Sequence, residues 1–329
     1  MKPTDPDRRR LALLAGAAVA TLTLRPAAAQ VLRGAAPVRA IEGRAFASGW
    51  RVLLPASADT AALHAVIAEA LDRIDREMSP WRADSAVSRF NRTGAGAHPL
   101  PRAVLAVTDT ALAIAAASGG SFDPTVGPLV ARWGFGPIPG ADAPGWQTLS
   151  VRGDHLAKST PGATLDLCGI AKGHALDRIT AILRDTGVDS ALIEVGGELL
   201  GIGAHPEGRA WQAGVEDPRP GFQGIAARVA LDGQAVATSG TRWNGYDLGG
   251  RRVSHIIDPA TGAPVAGTLA SVSVLASGGA LADGWATALM AAGAERGVAL
   301  ARGHALSALF LVAEGPELRS VITGDASWN

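Results

Sequence analysis

Near the end of the chain, residues 281–290 read LADGWATALM, which sets an acid, Asp283, and a hydroxyl, Thr287, four residues apart in an otherwise apolar run. On a helix that spacing puts both side chains on one face, with their oxygens close together. Two hard oxygen donors so placed suit Mg2+, which takes few protein oxygens and completes its octahedron with phosphate and water. Spacing alone leaves a second reading open: Asp283 as an N-cap after SGGALA, and Thr287 returning its hydroxyl to the carbonyl four residues back.

Further polar residues sit in glycine-rich segments: SGGSFDPTVGP (118–128), LDLCGIAKG (165–173), EVGGE (194–198), ATSG (237–240) and SHIIDPATGAP (254–264). Glycine lets backbone approach a ligand closely, and the Asp-Pro pairs at 123–124 and 258–259 make stiff corners. The same residue types also build ordinary turns, so each segment alone is ambiguous. The chain lacks a GxxxxGK[ST] phosphate loop, a GxGxxG after a strand, an HExxH helix and a paired CxxC. No nucleotide or zinc site of those kinds is announced.

The elements that must position these residues are partly legible. Residues 59–78 place Leu63, Val66, Ile67, Ala70, Leu71, Ile74 and Met78 at helical spacing behind Asp59, a suitable N-cap. A second helix opens at Pro101 and stops at Gly119-Gly120, and a third follows Gly173 and ends at Gly187. Strands are expected mostly in the second half: SALIEV, AARVAL, QAVAT, RRVSHII, SVSVLA, ALFLVA and RSVIT. Their hairpin-like order favours an α+β fold with largely antiparallel sheets flanked by helices. The stretch 132–146 is the one long irregular loop, a frequent place for function.

The 329 residues are 47% hydrophobic, ample for a large core. Thirty basic side chains balance thirty acidic ones, so no general grip on nucleic acid or an anionic membrane is expected. Arg8, Arg9 and Arg10 precede an apolar run of about 14 residues that ends in Ala27-Ala28-Ala29, short of the roughly 20 that span a bilayer. Residues 1–29 therefore read as a cleaved export signal. It is twin-arginine-like, although Asp7 and Leu11 replace the usual Ser or Thr and the usual Phe. The expected product is soluble and periplasmic, without a lipid anchor. Cys168 is the sole cysteine, so no internal disulfide is expected.

Taken together, the segments resemble the ApbE family of FAD:protein FMN transferases. MSPWRADSAVSRFN, SFDPTVGPLVARWGFG, LDLCGIAKGHALD, VATSG, SHIIDPATGAP and ADGWAT follow that family's motifs in its order. The resemblance implies a single domain over 43–329, preceded by an N-terminal segment at 30–42. It implies an Mg2+-dependent enzyme that takes FAD as substrate, attaches the FMN moiety to a threonine hydroxyl of an acceptor flavoprotein, and releases AMP. Metal ligands carried over are Asp283, Thr287 and the carbonyl of Gly169. FAD contacts carried over are Phe46, Trp81, Ser121, Phe122, Asp123, Asp166, Lys172 and Ile257, with His255 as the functionally important histidine. On this reading Lys172 adds positive charge near the pyrophosphate, and His255 or a nearby carboxylate orients or deprotonates the threonine.

Three departures stand out. Cys168 replaces a usual Gly and is expected to be a small buried residue; His174 replaces a usual aromatic; Phe46 falls where Met-Gly-Thr is common. The segment Pro161-Gly162-Ala163-Thr164-Leu165 fails the family's acceptor pattern at both ends, so self-modification is not suggested. Two rivals remain at this level: an Mg2+-dependent FAD pyrophosphatase giving FMN and AMP, and a non-catalytic periplasmic flavin-binding or assembly factor.

Overall fold

The structure, a computed structural model, describes residues 38–329 except Ala141, Pro144 and Gly250. The export signal expected at 1–29 lies outside the described residues. Eight strands form one sheet: β1 (Val38–Ala45), β2 (Ser48–Pro55), β3 (Ala191–Val195), β4 (Glu198–Ile202), β5 (Ala235–Gly240), β6 (Leu269–Ala276), β7 (Ser307–Glu314) and β8 (Glu317–Thr323). Neighbours in the sheet are neighbours in that chain order, and every pairing is antiparallel. The described residues thus make an α+β fold built on a meander, with the helices and smaller sheets inserted between its strands. β1 begins at Val38, so the sheet takes in part of the segment 30–42.

Six helices occupy these insertions: α1 (Thr60–Met78), α2 (Ala86–Asn91), α3 (Arg102–Ala117), α4 (Gly127–Arg132), α5 (Ala171–Asp185) and α6 (Gly279–Gly303), the last interrupted by non-helical backbone at Gly293. Asp59 caps α1 as expected, its carboxylate accepting from the N–H groups of Ala61 and Ala62. Pro101 is the N-cap of α3 rather than its first residue.

Period-two alternation divides the strand residues between the two faces. Val52, Leu54, Ile193, Val195, Val272, Val274 and Phe310 pack under the helices in the main core. On the opposite face Leu192, Val236 and Leu275 meet Trp211, Val229 and Leu231 of a hairpin formed by Trp211–Glu216 and Ile225–Leu231. Burying both faces explains why the central strands read as nearly continuous apolar runs.

Strands in the first half were missed. β1 carries exposed Arg39, Glu42 and Arg44 around a single buried apolar residue, Ile41, and the small sheet of Gly96–Pro99, His155–Lys158 and Leu149–Arg152 is made of strands too short to stand out, whereas β2 does alternate, burying Trp50, Val52 and Leu54. The expected strand RRVSHII is divided: Arg251–Ser254 pairs with Gly245–Leu248, Ile257–Asp258 pairs with Ala263–Pro264, and His255 and Ile256 turn the chain between them. The N–H of Ile256 donates to the Ser254 hydroxyl there, in place of a ladder bond.

Candidate functional site

The site is organised by the crossing of α5 and α6. α5 starts at Ala171, not after Gly173, so Lys172 and Gly173 belong to its first turn. Gly173 is tolerated in the helix because α6 passes directly against it. A Cβ on Gly173 would lie 2.1 Å from the Gly279 carbonyl oxygen and 2.7 Å from Asp283 Cβ. This contact sets Asp283, 4% exposed, over the start of α5, where its Oδ2 accepts from the Gly173 N–H at 2.9 Å.

Asp283 is therefore not the N-cap of its own helix. That position belongs to Gly278, and the first N–H groups of α6 are satisfied from α5: Asp177 accepts from Gly279 at 2.6 Å and from Ala280 at 2.9 Å. Thr287, one turn past Asp283, donates to the Gly169 carbonyl at 3.3 Å instead of bonding back along its helix. Its hydroxyl also lies 3.4 Å from Ser239 Oγ, at the end of β5. The structure thus brings Gly169 and Thr287 into contact and places Asp283 on the adjoining turn.

Two loops complete this floor. Asp123 Oδ1 accepts from the backbone and hydroxyl of Thr125, both at 2.7 Å, and its Oδ2 from the N–H of Trp146 at 3.2 Å. The N–H of Asp166 donates to the Pro124 carbonyl at 2.7 Å, which joins the loops, and Asp166 Oδ1 accepts from Cys168 N–H at 2.9 Å. Phe122 is buried against Gly169: a Cβ on that glycine would lie 3.2 Å from Phe122 Cε2 and 3.1 Å from Thr287 Cγ2. Ser121 Oγ is buried with no hydrogen-bond partner.

Lys172 is not a free cation, although its side chain keeps 34% exposure. Its ammonium pairs with Glu198, the acid that follows Gly196-Gly197. Sequence reasoning passed over Glu198, quoting EVGGE for its glycines, although an acid opening the apolar strand ELLGI was a usable signal. Burial raises the Glu198 carboxyl to about 7 against the attraction of Lys172. For Lys172 burial works downward, and Glu198 and Asp283 overcome it and keep the ammonium charged. Burial also raises Asp123, Asp166 and Asp283.

His255 sits on the turn beside this centre. Its N–H donates to the Asn244 carbonyl at 3.2 Å, and its ring meets Phe135 edge-on at 6.2 Å between centroids. Nδ1 is buried without a hydrogen-bond partner. Burial, and then the charge of Lys172, lower its pKa and hold the imidazole neutral. Ile257, two residues on, is buried.

Three residues depart from this convergence or from expectation. Trp81 is 66% exposed on the turn between α1 and α2. Phe46 lies at the β1–β2 hairpin tip, where it and Ala47 both adopt positive φ, 53° and 57°, a conformation that costs non-glycine residues about 1 kcal/mol or more. Cys168 is exposed rather than buried. Desolvation of its thiol, and then the charge of Asp166, raise its pKa well above the usual range.

Among the described residues no cluster of three or more His, Cys, Asp or Glu side chains could hold a metal. The donor set on offer is a carboxylate, a hydroxyl and a carbonyl, all hard oxygens, and it fits Mg2+ rather than zinc. The charge of the site agrees. Asp123, Asp166, Asp283 and Glu198 are each at most 9% exposed, and among the described residues the one ion pair any of them makes is Glu198 with Lys172. A dication would offset that surplus of negative charge.

The sequence model of the ApbE family matches residues 44–310. The chain is 33% identical to the FAD:protein FMN transferase of Klebsiella pneumoniae, covering 95% of both chains, and 33% identical to that of Escherichia coli, covering 87% of both. Among solved structures it is similar to the apo flavinyl transferase ApbE of Pseudomonas stutzeri, with 36% identity, a TM-score of 0.78 and coverage of 87% of this chain and 95% of that one. The flavin transferase ApbE of Vibrio cholerae is 30% identical, with a TM-score of 0.77 over 87% of this chain and 98% of the other. Family match, shared fold and the meeting of the motif segments at one floor lead to one conclusion: the chain belongs to the ApbE family.

Proposed function

We propose that this protein is a periplasmic FAD:protein FMN transferase that uses Mg2+, attaches FMN to a threonine hydroxyl of an acceptor flavoprotein, and releases AMP. The observation that carries the reading is the meeting of the Gly169 carbonyl with the Thr287 hydroxyl beside the buried Asp283. These three would hold the metal, which when bound neutralises charge on the phosphate oxygens of FAD. Ser121, Phe122, Asp123 and Asp166 line the floor on which FAD would lie, with Ile257 buried near His255. Phe46 and Trp81 would contact it from the periphery. In the reaction the threonine oxygen bonds to the FMN-side phosphorus, the bond from that phosphorus to the bridging oxygen breaks, and AMP leaves with that oxygen. His255 is suited to take the hydroxyl proton, being neutral with an unpartnered ring nitrogen. Residues 1–29 support the export part of the proposal by their arginine cluster and apolar run.

The test is to incubate the mature protein with FAD, Mg2+ and a threonine peptide of the form Asp-Gly-Ala-Thr-Ser, and to weigh the peptide. A mass gain equal to FMN less one water, with equimolar AMP, is expected. AMP without labelled peptide would replace the transferase reading with a pyrophosphatase, and bound FAD without turnover would replace it with a binding factor.

A further inference from the structure

The site's one ammonium already has a partner. Lys172 Nζ donates to Glu198 Oε1, and Glu198 is 3% exposed, with its second oxygen buried and without any hydrogen-bond partner. Gly196 covers the pair, its φ of +59° turning the backbone over it; a Cβ there would lie 3.1 Å from Lys172 Cδ and 3.5 Å from Glu198 Oε2. Glu198 is thus enclosed while the Lys172 side chain keeps 34% exposure, and a diphosphate reaching Lys172 meets a neutralised ammonium rather than a free cation. Beyond it stand Asp283 and Asp166, each without an ion-pair partner among the described residues. Coulomb repulsion in a poorly solvated site is strong enough to decide binding.

We propose that Glu198 neutralises Lys172 and so makes binding of a diphosphate ligand conditional on a divalent cation. The inference rests on the reading of FAD as substrate and goes beyond it. Without Glu198, Lys172 would serve as a phosphate cation by itself, and FAD would enter a site that holds no metal and cannot turn it over. Glu198 acts here through Lys172, as a positioning residue, and sets the order of assembly.

The experiment is FAD binding to the mature protein at pH 8, followed by flavin fluorescence in EDTA and in Mg2+. Wild type should bind FAD much more weakly in EDTA. Glu198→Gln should bind about tenfold tighter than wild type in EDTA, with a correspondingly smaller gain from Mg2+, while Glu198→Asp should keep the metal requirement. Equal affinity of Glu198→Gln and wild type in EDTA, or loss of binding in both media, would overturn the inference.

A double-mutant cycle keeps the question open to refutation if Glu198→Gln folds poorly. Lys172→Met should weaken binding in EDTA, and the double variant Lys172→Met/Glu198→Gln, which removes a neutral pair, should return to within about twofold of wild type. A double variant as weak as Lys172→Met alone would overturn the inference. A wild type that binds FAD equally in both media overturns it and leaves the transfer reading standing. Metal-conditional binding with no FMN attached to the peptide supports the inference and removes the transfer reading; no binding in either medium overturns both.

Discussion

Gly173 and Gly279 meet backbone to backbone, so closely that a Cβ on Gly279 would lie 2.2 Å from the Gly173 carbonyl oxygen. Gly173→Ala is expected to cost more than the roughly 1–3 kcal/mol of ordinary overpacking, because the obstacle is backbone and cannot rotate away. A thermal melt should fall well below wild type. Gly162→Ala, where an added Cβ meets nothing within 4 Å, should melt at or slightly above it.

Asp177 accepts from two N–H groups at the start of α6. Asp177→Ala leaves both without that partner and should cost about 1–2 kcal/mol, as loss of a helix cap does. Asp177→Asn keeps one accepting oxygen and should lose less. Since that helix carries Asp283 and Thr287, Mg2+ titrations of both variants should shift to higher concentration in the same order.

Asp283 is the one charged side chain among the three donors that would hold the metal. Asp283→Ala should abolish Mg2+-dependent AMP release, and Thr287→Ser, which keeps a hydroxyl, should retain much of it. Full activity of Asp283→Ala across an Mg2+ titration would remove the metal assignment.

His174 supplies a pH dependence. Burial, then Arg178, lower its pKa from 6.5 to about 4. Between those values the unfolded chain binds a proton that the folded protein refuses, so stability rises with pH across this window and is lost as pH falls from 6.5 towards 4. His174→Phe removes this contribution. The drop in melting temperature between pH 7 and pH 5 should be smaller in the variant than in wild type; equal drops would refute the assignment.

Cys168 is exposed on the floor of the site, yet its thiol is held protonated. Alkylation by a small maleimide should be slow near neutral pH compared with a free cysteine, speed up as pH rises, and slow again when FAD and Mg2+ are added together. Cys168→Gly, the residue usual in the family, should retain activity.

How much of this was legible in the sequence depends on the kind of interaction. The amphipathic period of α1 and its Asp59 cap are local, and they read directly. Asp283 and Thr287 also declared themselves by spacing, and of their partners only the Gly169 carbonyl was expected, through the family resemblance. Gly173, Gly169, Asp177 and Ser239 are brought to them by packing between segments distant in the chain, and no local pattern encodes that. Lys172 was read as a free cation because Glu198 is far away in sequence and was overlooked. The first-half strands were hidden for a different reason: in β1, at the sheet edge, polar side chains replace the apolar run that identifies a buried strand, and the strands of the small sheet are very short.

The sheet's pairing order has a consequence for how the molecule is made. Trp50 of β2 lies opposite Val195 of β3, yet the whole segment carrying α1 to α5 separates them. During synthesis the N-terminal hairpin has an open edge until residues 191–195 emerge, and closing so long a loop costs chain entropy. The same closure brings the Gly196 turn, and Glu198 with it, onto Lys172. The reaction centre therefore stays incomplete until residues 191–198 and then α6 have been made, and chains stalled before that present an unpaired strand edge to one another.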